Sequence, residues 1–411
     1  MNTVPSVDRR LDPDAVVARL LSDARDARRY DIGFPGATDL AFPALGEVLT
    51  GQLLNNVGDP WDLGHGRNHT KHLEQQVVAT VADLLGAPPG AWGYVTTGST
   101  EGTLHALDEA WQRYPDLAVY TSAAAHYSVI KSARLLKLPL VMVRTDPTGR
   151  MDTNDLSGEL ARRRDRPAMI VATAGTTMAE AVDDVAAITH ACDNLAISRR
   201  RIHVDAALSG IPLALLPPEN RPPFGFTSGA TSMVISGHKF LSTLMPCGVL
   251  VYAEPPRAPT SGRISYTGSA DTTIAGSRSG HTPLLLWWAL NTLGPNGLRQ
   301  RAQTSRDLAT YTHDRLRKIG WPTQLNPHAF TVTLDQPSPL ITAKWVLASD
   351  GQTAHIVCMP GTTQDQIDEF LSDLGASSHV PAQRHEHRTP VPAAAPKPKT
   401  SRPTPQERSK R

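Results

Sequence analysis

Between residues 85 and 255 short apolar, β-rich runs alternate with stretches in which apolar residues recur at helical spacing. The runs fall at 92–96, 118–122, 140–143, 168–172, 202–204, 232–235 and 249–252. Between them, Val129, Ala133 and Leu136 repeat at i, i+4, i+7, and Val185, Ile188, Cys192 and Leu195 repeat in the same way. Strands alternating with helices predict an α/β fold with a mostly parallel central sheet covered on both faces. In such sheets chemistry collects at the carboxyl ends of the strands. Trp287-Trp288, within the apolar segment 284–290, is expected to pack a buried helix joining two domains.

Length and composition set the scale of this picture. With 411 residues, 40% hydrophobic and 19% charged, the chain can bury one large domain and a smaller one. The expected division is an N-terminal segment 1–48, a large domain 49–290, a small C-terminal α+β domain 291–376 and a tail 377–411. The net charge of +2 is unevenly spread, because residues 381–411 carry +6 and the remainder −4. Seven prolines in those last 31 residues, with almost no apolar residue to dock, predict a solvated, disordered tail. Its basic charge leaves nucleic acid open as a partner, but the absence of interleaved aromatics makes that contact unexpected. Three widely spaced cysteines, Cys192, Cys247 and Cys358, argue against a disulfide framework. With no signal-peptide pattern and no run long enough to span a bilayer, a cytoplasmic protein is expected.

The candidate chemistry lies where strands end. Ser236-Gly237-His238-Lys239 closes one apolar run, and His203-Val204-Asp205-Ala206-Ala207 closes an earlier one. Alone, each reads as a surface lysine or a helix-capping aspartate. Together they are what a pyridoxal phosphate (PLP) enzyme needs: an amine that condenses with the cofactor aldehyde, and a carboxylate that keeps the pyridine nitrogen protonated. Thr96-Thr97-Gly98-Ser99-Thr100-Glu101-Gly102 follows a strand and opens the helical pattern 103–113, so its free amides and hydroxyls suit a phosphate monoester. His126 follows the strand at 118–122 and is placed to stack on the cofactor ring. Thr173-Ala174-Gly175-Thr176-Thr177 brings hydroxyls, Thr176 among them, toward the ring or toward Asp205, whereas Asp183 and Asp184 read as caps of the next helix. His65, His69 and His72 share helical spacing, but no carboxylate or cysteine stands at a fitting distance, and no metal is expected.

These segments resemble the PLP-dependent group II amino-acid decarboxylases, and more narrowly the bacterial histidine decarboxylases and plant serine decarboxylases. The likeness runs through Asn55-Asn56-Val57-Gly58-Asp59, Gly98–Gly102, His126-Tyr127-Ser128, Gly175-Thr176-Thr177, His203–Gly210, Ser236–Lys239, Pro246-Cys247-Gly248 and Gly276–Pro283, then Asn326-Pro327-His328 and Ala354–Pro360. It implies the fold-type I, aminotransferase-like architecture and a homodimer with active sites at the subunit interface. It also implies a Schiff-base role for Lys239, a pyridinium partner in Asp205, a stacking ring in His126, and a phosphate site of Ser99, Thr100, Ser236 and His238, with Thr176 and Ala207 beside the cofactor. Candidate donors of the proton to Cα are Tyr266, Lys239 and His126, with Tyr266 preferred. Asn55, Asn56 and Asp59 either bind substrate or order an N-terminal loop. The implied reaction is decarboxylation of an L-amino acid, L-histidine to histamine and CO₂ first, with serine or a small aliphatic amino acid as alternatives. Behind it stand another PLP lyase or aminotransferase, and an inactive PLP-binding scaffold. Ala125 departs from the family's threonine, Ser99 from its frequent glycine, and Ala329-Phe330 from small and polar residues. The last is expected to reshape the pocket if the small domain lines it.

Overall fold

The computed structural model of the 411-residue chain describes residues 12–257 and 262–376. Its larger sheet is built from β1 (Trp92–Thr96), β2 (Ala118–Ser122), β3 (Leu140–Val143), β4 (Ala168–Thr173), β5 (Arg200–Asp205), β6 (Ser232–Ser236) and β7 (Gly248–Tyr252). Their order is β1-β7-β6-β5-β4-β2-β3. The five strands β2 to β6 run parallel, and β7 lies antiparallel to both β1 and β6. Each expected apolar run lies in one of these strands. The observed strands β4, β5 and β6 reach further, to Thr173, Asp205 and Ser236. An apolar run ends before such polar residues, but the ladder does not, and it carries them to the sheet's carboxyl edge.

Helices cover both faces, which is why the strands read as apolar runs and not as alternating ones. In chain order they are α1 (Pro13–Tyr30), α2 (Gly46–Gly51), α3 (Lys71–Leu85), α4 (Ser99–Arg113), α5 (Tyr127–Leu135), α6 (Thr153–Ala161), α7 (Val185–Asn194), α8 (Gly210–Ala214), α9 (His281–Lys318), α10 (Pro339–Thr342) and α11 (Gln364–Ala376). On one face Ala106, Leu107 and Ala110 of α4 and Val129 and Ala133 of α5 pack on Val119, Met169 and Val171. On the other, α3, α6, α7, α8 and α9 share a core with Tyr120, Ile170, Ile202, Val204 and Ile235. Burying each such aliphatic side chain contributes roughly 1.5–3 kcal/mol. Helix α4 lies so close to the sheet that a Cβ on Gly102 would stand 2.5 Å from Val234 Cγ2. A larger residue there would push the helix start away from β6.

The small sheet is antiparallel, β10-β11-β9-β8, formed by β8 (Thr323–Leu325), β9 (Thr331–Asp335), β10 (Ala348–Asp350) and β11 (Thr353–Val357). Its core joins Phe330, Val332, Leu334, Trp345, Ile356 and Phe370 to Ile32 of the N-terminal segment. Helix α9 runs through the expected boundary at 290/291 and breaks at Gly294 (φ 58°, ψ 178°), ahead of Pro295. A proline there lacks the amide and clashes with the preceding turn. Trp287 and Trp288 are half-buried on α9, a helix that itself carries many buried residues. Trp287 flanks the large core and donates its Nε1–H to Gln76 Oε1 at 2.9 Å, whereas Trp288 packs beside Phe42, Leu45 and Leu285.

All three cysteines are buried and unpaired. No helix among the described residues is long and apolar enough to cross a membrane. The expectations for the tail after residue 376 lie outside the described residues.

Candidate active site

The carboxyl edge of the large sheet assembles the polar strand ends. Asp205 ends β5, in register with Thr173 of β4, so their side chains leave the sheet on one face, the face covered by α4 and α5. Asp205 is 5% exposed, and its Oδ1 accepts the amide of Ala207 at 3.2 Å. Lys239 follows β6 by three residues. Burial holds its ammonium below the ordinary lysine range, and attraction from Asp205 only partly opposes this. His126 is under the same influences: burial lowers its pKa, Asp205 raises it, and Lys239 and Lys131 lower it further. Asp205, Lys239 and His126 thus form one electrostatic group, although 113 positions separate the first and last in sequence.

His126 is also the N-cap of α5. Its Nδ1 accepts the amide of Ser128 at 3.3 Å and lies 2.8 Å from the Ser128 hydroxyl. An acceptor Nδ1 requires the proton on Nε2 in the neutral ring. The ring is fixed, and its tautomer with it.

The second half of the site lies around the start of α4. Gly98 adopts φ 155°, ψ 166°, a region open only to glycine, and turns the chain from β1 into the helix. The first helical amides, those of Ser99 and Thr100, have no intrahelical acceptor by geometry and face outward at the helix's positive end. The Ser99 hydroxyl meets the Ser236 hydroxyl at 2.8 Å. His238 Nδ1 sits 3.1 Å from the carbonyl oxygen and 3.2 Å from the amide nitrogen of Cys247, and burial lowers its pKa so that the ring is neutral at pH 7. A cradle of hydroxyls, amides and a neutral imidazole suits an anion that brings its own charge. The buried Thr173 Oγ1, beside Asp205 on the same face, has no hydrogen-bond partner. That orphaned hydroxyl and the uncommitted first-turn amides fit a group with a phosphate at one end and a polar ring at the other.

The scan for known families matches residues 43–323 to the pyridoxal-dependent decarboxylase conserved domain. The chain belongs to this family. A histidine decarboxylase of Mesorhizobium japonicum is 39% identical over 358 residues, which cover 86% of this chain and 95% of the relative. Serine decarboxylase 3 of Oryza sativa subsp. japonica is 35% identical, covering 88% and 81%. Among solved structures, the L-methionine decarboxylase of Streptomyces sp. 590 in its internal aldimine form superimposes with a TM-score of 0.79 at 22% identity, covering 90% and 97% of the two chains, a likeness of fold. The chain is a PLP-dependent amino-acid decarboxylase of fold type I, as the resemblance implies.

Other expected site residues take less direct positions in this decarboxylase. The Thr176 hydroxyl accepts the amide of Ala181 at 2.9 Å, so its lone pair is used within its own turn. Asn56 is fully buried, donating to Glu74 Oε2 at 2.8 Å and accepting the Thr70 amide at 2.8 Å. Asn55 bonds Ser277 and the amide of Arg278, and Asp59 bonds the amide of Trp61 and the hydroxyl of Thr272. Asn55 and Asp59 brace the loop ahead of α3 against the segment 269–280, and Asn56 ties it to the start of α3. Tyr266 stands on a turn closed by the Ile264–Ser269 bridge and is 84% exposed in the single chain. Phe330 is fully buried in the small-domain core.

Two acidic residues hold the site from behind. Glu101 accepts the amide and hydroxyl of Thr97, both at 2.7 Å, and the Tyr94 hydroxyl at 2.9 Å, locking the loop into α4. Its place in the first turn, where an acidic side chain reaches back to free amides, is the available signal. Asp184 caps α7 as expected, through the amide of Ala187. Asp183 does not: it is buried, takes the amides of Met151 at 2.6 Å and Thr173 at 2.8 Å, and its pKa is raised to about 6 by burial. It fixes the end of β4 where Thr173 leaves the sheet.

Proposed function

We propose that the chain decarboxylates L-histidine to histamine and CO₂, with Lys239, Asp205 and His126 at the centre of its site. The observation that carries the chemistry is the shared electrostatic environment of these three residues at the sheet's carboxyl edge. When bound, PLP supplies an electron sink for the bond that releases CO₂. Burial raises the neutral, nucleophilic fraction of the Lys239 amine, which holds the cofactor. Asp205 would keep a proton on the ring nitrogen of a bound cofactor by its charge, and His126 would stack against that ring. Ser99, Thr100, Ser236 and His238 would hold the phosphate of a bound cofactor, with Thr176 and Ala207 nearby.

Tyr266 delivers the proton to the substrate Cα in this reading. Its exposure in a single chain is consistent with a second copy enclosing it, and the exposed Val17, Leu20 and Leu21 of α1 offer that copy apolar surface. The reading includes a homodimer with shared sites, working in the cytoplasm. Histidine is preferred on the 39% identity to the Mesorhizobium enzyme, and the burial of Phe330 removes one reason to expect an apolar substrate. A site that hydrogen-bonds a polar side chain rejects analogues lacking it by far more than the ~10–200-fold available to an apolar pocket. CO₂ release from a panel of histidine, serine, methionine, valine, leucine and phenylalanine therefore shows histidine with the highest kcat/KM. A higher value for any of the others overturns the histidine assignment and leaves the decarboxylase intact.

A further inference from the structure

Glu180 is 2% exposed, and its backbone takes φ +51°, a left-handed conformation that a glutamate enters only under tertiary constraint. Its carboxylate joins two distant segments. Oε1 accepts the Ser209 hydroxyl at 2.8 Å, four residues past Asp205, and Oε2 accepts the Phe330 amide at 2.9 Å, at the entrance to β9. The carbonyls before it dock the same domain: Ala179 O takes Asn326 Nδ2 at 2.8 Å, and Met178 O lies 3.1 Å from His355 Nδ1. Arg306 repeats the connection with opposite charge. Its Nη2 donates to Pro212 O at 2.6 Å and its Nε to His328 O at 3.1 Å, and it attracts Glu180. A carboxyl group and a guanidinium group therefore each bridge residues 209–212 to residues 328–330. The Asn326-Pro327-His328 and His355 motifs, which the chemistry leaves unused, are the other half of this joint.

We propose that Glu180 is a positioning residue for the cofactor site, clamping the turn after Asp205 and the turn after Thr176 to the small domain. The Glu180 amide donates to Thr176 O at 2.8 Å, so the carboxylate fixes both turns at once. Glutamine keeps both bridges, accepting the Phe330 amide through Oε1 and donating Nε2–H to Ser209. Alanine keeps neither.

The test uses the full-length apoenzyme titrated with PLP and followed by absorbance, together with hydrogen exchange at the Phe330 amide. Glu180→Ala raises the apparent Kd for PLP and the exchange rate of Phe330 each about tenfold, well below the melting temperature, and Glu180→Gln stays within about twofold of wild type in both. An alanine variant that melts earlier but binds PLP with wild-type Kd overturns the proposal, as does a glutamine variant as impaired as alanine. Should Glu180→Ala fail to fold, Ser209→Ala removes one arm alone. A rise of about threefold in its Kd supports the clamp, and an unchanged Kd rejects it. Neither readout depends on which amino acid is decarboxylated.

Discussion

Ser99 and Ser236, 137 positions apart, meet hydroxyl to hydroxyl at 2.8 Å in a buried contact. One opens α4 and the other ends β6, so this bond staples the anion cradle to the strand that delivers Lys239. A neutral hydrogen bond contributes about 0.5–1.5 kcal/mol net, and a buried hydroxyl left alone costs more than the pair is worth. Ser99→Ala and Ser236→Ala should each weaken PLP binding by roughly tenfold. Because the contact is shared, the double variant should fall well short of the product of the two losses. Titration of the three apoenzymes with PLP checks this, and strictly multiplicative losses would show that the hydroxyls act separately.

Burial lowers the pKa of Lys239 and Asp205 opposes this only in part, so removing the amine should relieve a desolvation cost and leave the fold intact. Lys239→Ala should lose turnover by roughly a thousandfold or more, as loss of a covalent catalytic group commonly does. Its thermal melt should match or exceed that of wild type, read by calorimetry on the cofactor-free proteins. Substantial CO₂ release by this variant would remove Lys239 from the mechanism.

Asp205→Asn keeps shape and most of the packing, including an acceptor for the Ala207 amide. In the proposed site, what it removes is the charge beside the cofactor ring. The expected outcome is PLP binding within about tenfold of wild type and a kcat lower by roughly 10²–10³. Equal, small losses in both would make Asp205 a packing residue.

How much of this is legible in the sequence depends on where each residue finds its partners. The strands are readable because each is buried on both faces, and the cradle is readable because Gly98, Ser99 and Glu101 act within one turn of each other. Asp183 and Asp184 look alike in sequence. Only the partners separate them, since Asp184 bonds three residues ahead whereas Asp183 reaches Met151 and Thr173 across the fold. The departure at Ala329-Phe330 bears on the pocket only if the small domain lines it, and sequence does not show that the Phe330 ring is buried in the small-domain core. Glu180 carries no local signal at all, because a clamp between residues 209 and 330 exists only once the two domains have met.

Acid sensitivity follows from the histidines. His203 is fully buried between the Ser232 hydroxyl, 2.9 Å from Nδ1, and the Thr103 hydroxyl, 3.4 Å from Nε2, and burial lowers its pKa to about 3. The folded protein therefore refuses a proton that the unfolded chain accepts near pH 6.5. Its contribution to stability is fully present above pH 6.5 and is lost as pH falls toward 3. Burial pushes His105, His126, His238 and His355 the same way. Asp183 works against them: with its pKa raised to about 6, the folded state takes up a proton first, which adds stability as pH falls from 6 toward 3.8. Glu180, whose pKa burial also raises, acts as Asp183 does, but the shift at His203, from 6.5 to about 3, is the largest of these and is joined by the four other histidines. Denaturant unfolding at pH 7 and pH 5 should show wild type weaker at pH 5, and His203→Gln, which keeps a polar group for Ser232 but cannot be protonated, should lose less over that interval. An equal loss in the two proteins would mean that some other group governs the acid limb.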